Sequence, residues 1–130
     1  MIDGASVPAD HRVATVTGEG GSLTLGLGAT VRNWSAVGTA GAVRVRANGG
    51  SFTMLDGSAI RDCRLKASAA GAGGAAASVS AARSSGASTV PSASYRASFA
   101  MEEGASIVGC TTTMTANATF SGGGAVRATD

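Results

Sequence analysis

At 130 residues the chain has the length of one domain, but three Phe, one Trp and one Tyr beside 20 Gly cannot fill a wide core, so a broad globular interior is excluded. The net charge of +2 comes from nine Arg and one Lys, spread mostly singly, against eight acids. Without a basic tract, neither nucleic acid nor an anionic membrane surface is expected as the main partner.

The N-terminal MIDGASVPADHR lacks a basic start followed by an apolar run, so no secretory leader is expected within it. It contains Gly4 in GASV and the sole histidine, His11, beside Asp10. An acid–base role would need a nucleophile context that the sequence does not supply, and His11 reads as a solvated loop residue.

A thirteen-residue unit then returns three times. Ser22 to Trp34 is SLTLGLGATVRNW, Ser51 to Cys63 is SFTMLDGSAIRDC, and Ser98 to Cys110 is SFAMEEGASIVGC. Laid over one another, the copies keep Ser first, apolar residues at the second, fourth and tenth places, and Gly seventh. Degenerate copies are expected at Gly4 and Gly86, which would put anchoring glycines at Gly4, Gly28, Gly57, Gly86 and Gly104.

Within each copy the side chains alternate with period two, which predicts strands with one buried face. Leu23, Leu25, Phe52, Met54, Phe99 and Met101 are predicted inward, with Thr24, Thr53 and Ala100 outward. After the turns at Gly28, Gly57 and Gly104, Val31, Ile60 and Ile107 are predicted inward on a second short strand. A second motif, GAVRVR at Gly41 to Arg46 and GAVRA at Gly124 to Ala128, has Val43 and Val45 inward and Arg44 and Arg46 outward, with GAAASVS at Gly74 to Ser80 as a weak copy.

One coil can therefore be written as three strands, Ala42 to Ala47, Phe52 to Leu55 and Ser58 to Arg61, with glycines at the corners. Such a unit cannot bury its inner face alone, so stacking is what stabilises it. The expected fold is all-β, a parallel β-helix (solenoid) of about four to five short coils over 1–130, right-handed as parallel crossovers generally are. Arg64 to Ala97 is Ala/Ser/Gly-rich and reads either as one degenerate coil or as a loop. Gly104 to Val126 is uncharged once its flanking acids are set aside, but too polar for a membrane helix. Both ends read as cut from a longer array, which predicts end-to-end self-association through exposed strand edges.

The succession GAVRVRANGGSFTMLDGSAIRDC resembles the repeat of right-handed parallel β-helix proteins, the pectin-lyase-like superfamily, and especially its polymorphic outer-membrane and autotransporter-type passengers. That resemblance covers about three quarters of the chain and implies a surface or extracellular setting as part of a longer protein. It says little of activity, because the fold serves lyases, hydrolases, adhesins and stalks alike.

The family's enzymes use clustered carboxylates on the outer face, with Ca²⁺ or a basic residue as helper. Asp56, Asp62, Glu102 and Glu103 lie near turns but match no lyase or hydrolase signature, so no catalytic, cofactor or metal residue is assigned. The outward Arg32 and Arg61 on one face, and Arg44 and Arg46 with Arg127 on another, are the candidate contacts for anionic glycans, or charges that protect sheet faces from aggregation. Asn33 and Asn117 head acceptor sequons for N-glycosylation. Cys63 and Cys110 share the place held by Trp34 in the first copy and read as an inward or corner-filling stack; a disulfide between them would be prevented by an intervening coil.

The expected function is a non-enzymatic structural or adhesive segment whose partners are glycans or cell-surface proteins. A remnant of a polysaccharide-active enzyme is the alternative. Ice binding is a weaker one, since the outward row Thr24, Thr53, Ala100 is broken at its third member.

Overall fold

The computed structural model describes residues 1–4, 12–67, 73–81, 96–114 and 124–129. These residues form fourteen strands and no helix. In chain order they are β1 (Ile2–Asp3), β2 (Ala14–Val16), β3 (Ser22–Leu25), β4 (Thr30–Arg32), β5 (Ser35–Gly38), β6 (Val43–Arg46) and β7 (Gly50–Met54). There follow β8 (Ala59–Arg61), β9 (Arg64–Ala67), β10 (Ala77–Ser80), β11 (Ala97–Met101), β12 (Ser106–Val108), β13 (Thr111–Met114) and β14 (Val126–Thr129).

All ten strand pairings are parallel and sort the strands into four sheets: β1-β4-β8-β12, β2-β6-β10-β14, β3-β7-β11 and β5-β9-β13. Followed from β2, the chain visits the second, third, first and fourth of these sheets in turn and returns to the second at β6. The rotation then repeats, which makes the molecule a parallel β-solenoid, with three or four described strands in each sheet.

A coil therefore has four strands where the sequence suggested three. The additional sheet is β5-β9-β13, and it reaches into the region that composition marked as degenerate: Leu65 and Ala67 of β9 point inward and are buried, while Arg64 and Lys66 point out. The weak motif copy GAAASVS also holds a place, with β10 lying between β6 and β14. Residues 68–72 and 82–95 lie outside the described residues.

The core follows from the register. Leu23 pairs with Phe52 and Phe52 with Phe99, so three large apolar side chains stack through one interior. The Phe52 and Phe99 ring centroids are 5.5 Å apart with planes tilted by 34°, a favourable offset arrangement. Phe52, Met54, Ile60, Leu65, Val31, Val45 and Val79 are the large apolar side chains buried almost completely. Ala42, Ala75, Ala76 and Ala77 are fully buried at and just before β6 and β10.

Met101 departs from its predicted inward burial. It pairs with Met54, as the alternation requires, yet it is 41% exposed, and β11 is the last described strand of its sheet.

The glycine series also needs correction at two places. Met54 pairs with Met101 directly, so Gly57 and Gly104 are neighbours in the stack and no coil anchored at Gly86 intervenes; Gly86 itself lies outside the described residues. Ile2 pairs with Val31, which aligns Gly4 with Asn33 rather than with Gly28. Gly4 is buried against the Trp34 ring, in space that a side chain would need.

Besides the corner at Gly20 and Gly49, with φ of 66° and 69°, two corners are left-handed. Gly28, Gly57 and Gly104 have φ of 63°, 67° and 79°. At the other corner, Asn33, Asp62 and Gly109 have φ of 57°, 55° and 67°, and the residue types present are those that tolerate this conformation.

Ser58 is fully buried, and its hydroxyl has no hydrogen-bond partner among the described residues. The corresponding places in the other copies hold Ala29 and Ala105. Ser58→Ala is therefore expected to raise stability by about 1 kcal/mol, since a buried hydroxyl without a partner costs more than the methyl that replaces it. A urea midpoint that falls in this variant would contradict the assignment.

Candidate functional site

The four candidate arginines fall on two sheets, as the alternation implies, but in different electrostatic settings. Arg32 of β4 pairs with Arg61 of β8, so the first two stack directly. Asp3 pairs with Arg32 from the other side and accepts a hydrogen bond from Arg32 Nε at 2.8 Å. The other Asp3 oxygen accepts Asn33 Nδ2 at 3.2 Å. This row thus carries a carboxylate at one end and Val108, paired with Arg61, at the other.

Arg44 and Arg46 project from β6. Arg44 is flanked in register by Thr15 and Ser78, with Arg127 beyond Ser78; Arg46 is paired with Ser80. A serine thus separates the predicted Arg44–Arg127 row. Arg12, just before β2, adds a charge that the sequence did not single out. Its Nη2 reaches within 3.9 Å of the position a side chain on Gly38 would occupy, at the junction of β5 and β6.

The cluster is mutually repulsive. Arg44 is held below the ordinary arginine pKa, first by burial, then by the positive charges of Arg12 and Arg46. The Nε groups of Arg12 and Arg127 are buried without a hydrogen-bond partner among the described residues. The like charges of Arg12, Arg44 and Arg46 have repulsion to relieve, and carboxylate or sulfate groups relieve it through charge-assisted hydrogen bonds. Arg12 was legible only through register. The run VATV after it matches the inward–outward order of β6, but a single Arg ahead of a strand carries no repeat signal.

A concavity of about 290 Å³ lies at the corner between the Arg61 row and β9, lined by Asn33, Trp34, Ser35, Asp62 and Arg64. Arg64 is thus a second base near Arg61 that the repeat comparison passed over, because the units end at Cys63.

The turn acids do not converge. Asp56, Asp62, Glu102 and Glu103 are exposed. The Glu102 carboxylate accepts the Asp56 backbone N–H at 3.2 Å. Among the described residues no group of three or more His, Cys, Asp or Glu is placed to hold a metal. His11 and Asn117 lie outside the described residues. Asn33, the other sequon residue, occupies a left-handed corner with its amide engaged by Asp3. The row Thr24, Thr53, Ala100 is in register as read. Among the described residues no helix is long and apolar enough to cross a membrane.

Fold and site together define a parallel β-solenoid with an arginine-bearing outer face. Set against protein-family models, curated proteins and solved structures, the chain matches none of them.

Proposed function

We propose that this chain is a non-enzymatic structural and adhesive solenoid that holds anionic polysaccharide on the sheet of β2, β6, β10 and β14. The observation that supports this reading is the convergence of Arg12, Arg44 and Arg46 on one face, where burial first, and then the charges of Arg12 and Arg46, hold Arg44 below the ordinary arginine pKa. An extended polyanion suits such a surface better than a small ion, because consecutive acidic sugars match a row of donors along a sheet. The proposal includes the likeness of the repeat to right-handed β-helix passengers, an extracellular or cell-surface setting, and end-to-end association through the outermost strands of each sheet.

The test is retention of the full chain on immobilised pectate, alginate and heparin compared with neutral dextran. Binding to the acidic polymers is expected, weakening as salt screens the charges. Replacing both Arg44 and Arg46 by Gln is expected to lower affinity about tenfold or more, the loss of one or two charge-assisted hydrogen bonds. Equal retention on dextran, or an unchanged double variant, would overturn the reading. Appearance of unsaturated or reducing ends in the incubated polymers would favour polysaccharide cleavage in its place.

A further inference from the structure

Cys63 and Cys110 are 47 positions apart in sequence, yet they are neighbours in the stack. The pairing of β8 with β12 and of β9 with β13 continues through the corner, where the Thr111 N–H donates to the Cys63 carbonyl at 2.9 Å. Trp34 lies on the other side of Cys63, its carbonyl accepting the Arg64 N–H at 2.7 Å. No coil separates the two cysteines, so the condition that would have prevented a bond between them is absent.

Directly paired residues of parallel strands have Cα atoms about 4.8 Å apart, inside the range of about 4.4–6.8 Å that disulfides span. Both cysteines are free thiols in this structure. Cys63 is fully buried and Cys110 partly exposed, so a reagent from solvent meets Cys110 first.

We infer that Cys63 and Cys110 form a redox-responsive pair, closing a cross-coil disulfide when a small disulfide of the oxidised-glutathione class is present and reopening when small thiols prevail. The Cys110 thiolate attacks one sulfur of the oxidant, whose S–S bond breaks and releases one small thiol. The Cys63 sulfur then attacks the Cys110 sulfur of the mixed disulfide, passing its proton to the second small thiol as that leaves. Two protein thiols thereby give up two protons and two electrons, and the small disulfide takes them up.

The electrostatics suit this order. A hydrogen bond from Cys63 lowers the Cys110 thiol to about 7, while that same interaction, with burial, raises Cys63. Asp62 is the charged side chain acting on both, and it opposes ionisation. Cys110 is thus the attacking thiolate near neutral pH and Cys63 the resolving thiol.

The experiment treats the full chain with oxidised glutathione, then denatures it, counts thiols, and records intact mass and melting temperature. Loss of both thiols is expected, with a mass lower by two hydrogens, no retained glutathione, and a melting temperature higher by roughly 10 °C for a cross-link closing a loop of this length. Reduction should reverse all three changes. The rate should rise with pH through about 7, the range in which Cys110 ionises. In Cys63→Ser, glutathione should stay attached to Cys110. A wild-type chain that keeps both thiols, or that holds glutathione on Cys110 as a stable adduct, would overturn the proposal, and these wild-type outcomes decide the matter even if the variant does not fold.

Discussion

Replacing Phe52 by Ala is expected to remove about 3–5 kcal/mol of stability, the cost typical of deleting a buried aromatic ring and leaving its cavity. Phe52 is 1% exposed, sits between Leu23 and Phe99, and touches the latter's ring at a centroid distance of 5.5 Å. A narrow interior offers few side chains that can move into the gap, so relaxation recovers little. Phe99→Ala provides the internal comparison. That residue lies in β11 at the edge of its sheet and is only half-buried, so its truncation should cost roughly half as much. Equilibrium urea unfolding of the two variants measures both values. Equal losses, or a Phe52→Ala loss below about 1 kcal/mol, would mean that the ring stack is not the core of this molecule.

Gly41→Ala is expected to be nearly as damaging for the opposite reason. A Cβ at Gly41 would run into the backbone of Ala75, carbonyl oxygen first, where β10 packs beside β6. Backbone cannot swing aside as a flexible side chain can, so the sheet must part locally, and about 3 kcal/mol is expected from overpacking of this kind. Gly124 occupies the corresponding place of the other GAVR motif, but a Cβ there meets nothing within 4 Å. Gly124→Ala should therefore be close to neutral. Two chemically identical substitutions in two copies of one motif separate inter-coil contact from intrinsic propensity, since propensity alone would give equal effects. A thermal melt of each variant reads the difference.

The sequence makes legible whatever repeats. The seventh-place glycines and the inward alternation of Phe52, Met54, Val43, Val45, Val31 and Ile60 recur at fixed spacing, because stacked coils impose the same backbone and the same interior on each copy. The sheet of β5, β9 and β13 escaped notice because its strands, SAVG, RLKA and TTTM, share the parity of burial but scarcely any residue identity. The corner at Asn33, Asp62 and Gly109 had a signal that was passed over: the twelfth place of each unit holds a residue type suited to positive φ, even though the types differ.

Spacing misled in one region for a physical reason. The interval from Gly57 to Gly104 does not divide at Gly86: Met54 pairs directly with Met101 and Ile60 with Ile107, so the two glycines belong to adjacent coils, and a longer connection between coils costs little extra closure entropy. The arginine cluster was half legible. Alternation gives Arg44 and Arg46 their outward direction, but the approach of Arg12 depends on how the chain enters β2, which no motif encodes.

The most direct test is a set of nuclear Overhauser contacts from the Phe52 ring in solution. In-register stacking requires cross-peaks from that ring to the Leu23 methyls on one side and to the Phe99 ring on the other, across 29 and 47 positions of sequence. Phe52 contacts confined to its own coil, with none to Leu23 or Phe99, would contradict the solenoid and the surface built upon it.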